Sequence, residues 1–229
     1  MHEHTECSSV DDRKSLIIVE LLHHFPYAIM SLALGFIVLS FLHVCAFHGL
    51  EMRDAAKSAR ILFHSFHFLH IMFAVSGSLV MFSRFSANLT KGIIVSVTSS
   101  LIFCTLSDIV VPYLSGLLLG VNMRFHVCLF SELQNVIPFL LIGLANGLVV
   151  GRHGKHVKGL YVLGSHFSHI LISALASLSY LISEGLYKWY PQMGMLFFYQ
   201  VIGVLVPCTL ADVVVPLLFA RNKKKHEKH

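Results

Sequence analysis

Charge is what this chain has least of. Only 13% of its residues are charged, against roughly 25% in an ordinary soluble domain, and the mean hydropathy is +0.73. Both values argue against a soluble globular protein. Six prolines and fifteen glycines among 229 residues are too few for a collagen-like or low-complexity chain. The five cysteines (Cys7, Cys45, Cys104, Cys128 and Cys208) are scattered, and four fall inside apolar runs, so a disulfide framework has no support. There is no G-x-S-x-G, Walker, G-x-G-x-x-G, H-E-x-x-H or C-x-x-C motif. An ATP-driven pump is therefore not encoded in this chain.

What the chain has is apolar length. A helix needs about twenty apolar residues to cross the hydrocarbon of a bilayer, and six such runs stand near 16–46, 61–83, 92–120, 127–150, 159–183 and 194–219. The second and fifth carry no formal charge. The fold class expected is an all-α integral membrane protein with six transmembrane helices. The net charge of +5 would suggest nucleic acid in a soluble protein. Here the basic residues flank apolar runs, where they orient helices and meet lipid headgroups, so the expected partner is the bilayer and no nucleic acid. Arg13 and Lys14 precede the first run without a short apolar region and a small-residue cleavage site, which reads as a retained first helix. Most of the seventeen Lys and Arg fall at the N-terminus, near 84–91 and 152–158, and in the C-terminal tail. Positive-inside bias then puts both termini in the cytoplasm of a bacterial inner membrane, although Arg53, Lys57 and Arg60 run against the count.

The sequence also repeats itself. Glu20-Leu21, Pro26-Tyr27 and Gly35 return as Glu132-Leu133, Pro138-Phe139 and Gly147, at an offset of 112. His67-Phe68-x-His70-Ile71 returns as His166-Phe167-x-His169-Ile170, at 99, and Cys104-Thr105-Leu106-x-Asp108-x-Val110-Val111-Pro112 returns as Cys208-Thr209-Leu210-x-Asp212-x-Val214-Val215-Pro216, at 104. The order is kept, one match per helix. Three helices per copy is an odd number, so the second copy starts on the other side of the membrane: two inverted-topology three-helix repeats, as in many secondary transporters. The chain divides into a cytoplasmic segment 1–15, a first repeat 16–120, a second repeat 121–220 and a basic tail 221–229. The bland alternative is a duplicated scaffold, but packing repeats would keep small and aliphatic residues, whereas this one keeps Glu, His, Cys, Asp and Pro.

Ionisable residues inside spans are functional candidates by default. Asp108 and Asp212 lie close to the middle of their helices. Cys104 and Cys208 precede them by four residues and share their helix face. Pro112 and Pro216 follow by four, and each removes the N–H that would bond the aspartate's carbonyl, which predicts a kink with a freed acceptor. His67 and His70 share a face, as do His166 and His169. Imidazole suits transition metals and carboxylate supplies charge, so His67, His70, His166, His169, Asp108 and Asp212 are the expected metal ligands, with Cys104 and Cys208 as optional soft ones. Glu20 and Glu132, near the starts of the first and fourth helices, are candidate gates, with His64, which has no counterpart in the second copy. A first-turn carboxylate complementing the helix dipole explains the two Glu equally well. His23 and His24 align with Asn135 and Val136 and carry less weight. Gly35, Gly143 and Gly147 allow helices to approach closely. Met1-His2-Glu3-His4 and the tail from Lys223 to His229 lack the spacing of a formed zinc site.

The Glu-Leu…Pro-Tyr opening of the first helix and its Glu-Leu…Pro-Phe echo in the fourth resemble helix openings in permeases and heavy-metal exporters. The likeness covers two of six helices, implies transport, and carries over no residue roles. The function expected from the sequence is a transporter or channel for a divalent transition-metal cation (Zn, Mn, Fe, Ni or Co), in a chain able to form a homo-oligomer. A haem- or metal-containing membrane redox protein or enzyme is the alternative, with a b-type haem held between His of the second and fifth helices. A metal-free proton-coupled transporter of a small solute is the third.

Overall fold

The computed structural model describes residues 4–47, 52–153 and 159–220. The side chains before Ile18, those of Glu20 and His23, and the tail 221–229 lie outside the described residues. Every regular element among the described residues is helical. They are α1 (His4–Phe47), α2 (Met52–Phe85), α3 (Leu89–Thr105), α4 (Val111–Leu118), α5 (Cys128–Ser131), α6 (Leu133–His153), α7 (Gly159–Ser183), α8 (Met193–Thr209) and α9 (Val215–Ala220). α3 runs into α4, and α8 into α9, through one wide π-helical turn each, Leu106–Val110 and Leu210–Val214. Counted through those turns, six helices are long and apolar enough to cross a membrane: His24–Phe41, Asp54–Phe85, Leu89–Leu118, Leu133–Arg152, His166–Ser183 and Tyr190–Ala220.

The boundaries differ from the sequence reading in four places. α1 begins at His4, so Glu20 lies well inside the helix and not in its first turn. α2 begins at Met52, so Arg53, Lys57 and Arg60 lie on a helix and not in a loop. Arg60 donates to Glu184 Oε1 at 2.9 Å, and the Glu184 side chain is buried. That cation answers a buried carboxylate just past the end of α7. The fourth apolar run is broken at Glu132 into α5 and α6. The sixth starts earlier, with a single 3₁₀ turn over Tyr190–Gln192.

Two chain reversals are closed by glycine. At Gly120 (φ +77°) Val121 N–H bonds the Gly116 carbonyl and Gly120 N–H that of Leu117. At Gly185 (φ +131°) the same pair of bonds runs from Leu186 to Leu181 and from Gly185 to Ile182. Both satisfy end carbonyls by a left-handed cap that a residue with a Cβ would strain. Elsewhere glycine sets helix distance: a Cβ on Gly143 would stand 2.6 Å from the Met72 carbonyl oxygen, so α6 lies on α2 backbone to backbone.

α2 is the hub, packed against α3, α6, α7 and the α9 end of the sixth span. Large apolar side chains face outward, among them Leu22, Met30, Ile37 and Phe41 on α1 and Leu141, Ile142 and Val149 on α6. The interior, by contrast, is rich in hydroxyls and imidazoles: Ser31, His67, His70, Ser78, Ser96, Ser100, Ser107, Asp108, Ser173, Ser177 and Gln200 are all almost wholly buried. Polar groups turned inward behind an apolar exterior are compatible with a membrane-spanning bundle.

Candidate metal centre

The site forms where the two copies of the sequence repeat meet. Pro112 has no N–H to return to the Asp108 carbonyl, and Pro216 none for Asp212. The expected kink takes the form of a widened turn, with Val111 N–H bonded to the Leu106 carbonyl and Val215 N–H to that of Leu210. Such π turns cluster at functional sites because they rotate a side chain off the helix face it would otherwise occupy. Each here carries its aspartate inward.

Asp108 is enclosed on all sides. Its Oδ2 is 2.8 Å from His67 Nδ1 and 2.7 Å from His70 Nδ1. Its Oδ1 accepts from Ser107 Oγ at 2.8 Å and from Ser173 Oγ at 2.9 Å. Across the bundle, Asp212 Oδ2 is 2.5 Å from His169 Nδ1. The two halves are joined by His70 Nε2 and His169 Nε2, 2.7 Å apart, and Cys208 Sγ lies 3.6 Å from that same His70 nitrogen. His70, His169 and Asp108 are within 2% of full burial and Asp212 is at 5%.

This geometry constrains where the protons are. An ionised carboxylate only accepts, so the Nδ1 of both His70 and His169 donates to its aspartate. In the neutral tautomer that leaves both Nε2 atoms as bare acceptors, and two lone pairs at 2.7 Å repel unless a positive centre lies between them. A shared proton or a metal ion satisfies that requirement. Aspartate behind imidazole is also the arrangement that orients metal-binding histidines and raises their basicity. His70, His169 and Cys208 offer ligand atoms all within 4.8 Å of one another, a buried group able to hold a metal ion. Two nitrogens on one tetrahedral ion sit roughly 3.3 Å apart when its bonds are about 2.0 Å, so the imidazoles need open by only a fraction of an ångström.

The expected ligands do not all converge. His67, His70, His169, Asp108, Asp212 and Cys208 meet in one network, with the aspartates behind the imidazoles. His166 turns away: its Nδ1 is 3.3 Å from His24 Nε2, the two rings edge to face. Cys104 lies beside Phe68, Ile71 and Val136 and hydrogen-bonds with His70, at the edge of the network and outside the group of His70, His169 and Cys208. His64 and Glu132 line a separate cavity, and the Glu20 side chain lies outside the described residues. Sequence reasoning missed Ser107 and Ser173, which hold Asp108, and Ser177, which donates to the Ser107 carbonyl at 3.0 Å. It also missed Gly77, where a Cβ would lie 3.4 Å from the Asp212 carboxyl atoms. One signal was present: Ser173 and Ser177 follow His169 by four and eight residues, on its own helix face.

The two halves differ in a specific way. Asp108 has four donors and Asp212 one, with Asp212 Oδ1 buried and unpartnered. Ala211 stands where Ser107 stands in the first copy, Ala74 where Ser173 stands in the second, and His166 is engaged with His24. No protein-family model, curated protein or solved structure matches this chain.

Proposed function

We propose that this protein moves a divalent transition-metal cation across a membrane, holding it between its two halves on His70, His169 and Cys208. One observation carries the reading: two imidazole nitrogens face each other at 2.7 Å, each ring tied by its other nitrogen to an aspartate of its own repeat. The ligand set is borderline-soft, which favours zinc and its neighbours over magnesium or calcium. Two aspartates behind the ligands neutralise a dication within a low-dielectric interior.

The six apolar helices and the threefold sequence match support a bundle of two inverted three-helix repeats, with the cation near the midplane. Since one ligand comes from the first repeat and two from the second, rocking one repeat against the other separates His70 from His169 and Cys208. The cation is then held by fewer ligands and leaves. A haem between α2 and α7 would need a macrocycle-wide gap, and His70 and His169 fill that space with each other. A proton relay has an observation in its favour, because Asp108, His70, His169 and Asp212 form a continuous hydrogen-bonded chain.

Flux into liposomes separates the readings. Protein reconstituted with an internal metal-sensitive dye and an internal pH dye is expected to pass Zn²⁺ or Co²⁺, and His169→Ala with Cys208→Ser to abolish that signal. Proton movement without metal movement in the wild type would establish the relay and remove the metal reading.

A further inference from the structure

One cavity lies outside the network just described. It has a volume of about 370 Å³ and is lined on α2 by Ile61, His64, Ser65, Phe68 and Leu69, and by Glu132, Asn135 and Phe139 at the start of α6. Its wall is mostly apolar, and its polar groups are an imidazole, a carboxylate, a hydroxyl and an amide. His64 Nε2 is buried without a hydrogen-bond partner, and the His126 ring stands edge-on to that of His64 at 6.1 Å. Glu132 Oε2 accepts from Asn135 Nδ2 at 2.7 Å, which steadies the carboxylate at the break between α5 and α6.

Beyond the cavity, α2 presents His64, His67 and His70 at successive threes, each step about 4.5 Å along the axis. His67 is fully buried, its ring stacked on Phe63 at 5.5 Å, and its Nδ1 donates to Asp108. Its Nε2 has no partner. A buried imidazole nitrogen without a partner is an exception that needs an explanation, and here two occur in a row on one helix face, between this cavity with its one carboxylate and the central cluster.

We infer that this cavity is a second, outer cation site, in which His64 and Glu132 bind a divalent transition-metal ion that His67 then passes inward to His70. The inference rests on the central site being a metal site. An imidazole with a carboxylate suits zinc, cobalt or nickel better than magnesium. Fewer ligands and partial exposure make the outer site weaker than the central one. The second copy has Leu163 where the first has His64, so the site exists at one mouth only and gives the path a polarity.

Equilibrium zinc titration of the full-length detergent-purified protein tests this, with His64→Ala, Glu132→Gln and, for the central site, His70→Ala. Expected are two zinc ions per wild-type chain, one tight and one at least tenfold weaker. Glu132→Gln, which keeps the side chain's shape, and His64→Ala should each abolish the weak ion and leave the tight one. A tenfold excess of Mg²⁺ should displace neither. A single ion lost only in His70→Ala overturns the outer site and leaves the central reading standing. Weak binding unchanged in both outer-site variants also overturns it. No zinc bound in the wild type overturns both.

Discussion

Asp108 and Asp212 occupy matching places in the two repeats, yet their surroundings differ. Asp108 is a carboxylate with every lone-pair direction answered, by His67, His70, Ser107 and Ser173. Asp212 is held by His169 and leaves one oxygen without a partner. Replacing Asp108 by Asn puts an amide N–H against donors already pointing at it, and a broken buried charge network costs about 3–5 kcal/mol. Asp212→Asn disturbs a single bond, a loss of about 1–1.5 kcal/mol. Thermal denaturation in detergent should therefore rank Asp108→Asn well below Asp212→Asn; equal melting temperatures would contradict the asymmetry. Why the copies diverge is visible at one contact. His24 on α1 draws His166 away from Asp212, whereas the residue aligned with His24 is Val136 on α6, packed beside Phe68, and His67 turns to Asp108. The repeated His and Asp were legible in the sequence because mid-span charge is rare and these residues recur in order. The serines were not, since hydroxyls are ordinary in apolar helices and Ser107 falls at a position where the copies differ. Nor could the repeat say which of two imidazoles would find a partner on another helix.

At the scale of elements, spans were legible and joints were not. Apolar length locates six helices, and the structure has six of that length. The π turns were foreshadowed only as kinks: proline four residues after aspartate says that a bond is missing, not that the turn will widen to reach the next donor. The break at Glu132 was invisible because no proline or glycine stands beside it to mark the end of a helix. The role expected of Gly143, close helix approach, is met at the α2 backbone. Gly143→Ala should push α6 off Met72 and lower stability by about 1–3 kcal/mol. Gly164→Ala, where a Cβ meets nothing within 4 Å, should be neutral or slightly stabilising. Melting curves of the two variants check the pair, and a neutral Gly143→Ala would mean that α6 is free to shift.

For the whole molecule, the expectations that matter are orientation and the shared site. If six helices cross as two inverted repeats, single cysteines at Ala87 and at Asn122 should label with a membrane-impermeant maleimide from opposite sides, and one at Tyr187 should label from the same side as Asn122. Asn122 and Ala87 labelled from one side would break the inverted arrangement while leaving the local geometry of the cluster intact. The central claim is that His70, His169 and Cys208 share one cation, and X-ray absorption at the zinc edge tests it most directly. Tag-free protein loaded with one equivalent of zinc is expected to give nitrogen scatterers at about 2.0 Å and one sulfur at about 2.3 Å, with the sulfur lost in Cys208→Ser and the mixed nitrogen-and-sulfur shell lost in His70→Ala with His169→Ala. Zinc surrounded by oxygen alone, or a nitrogen-and-sulfur shell that survives removal of both histidines, would contradict it.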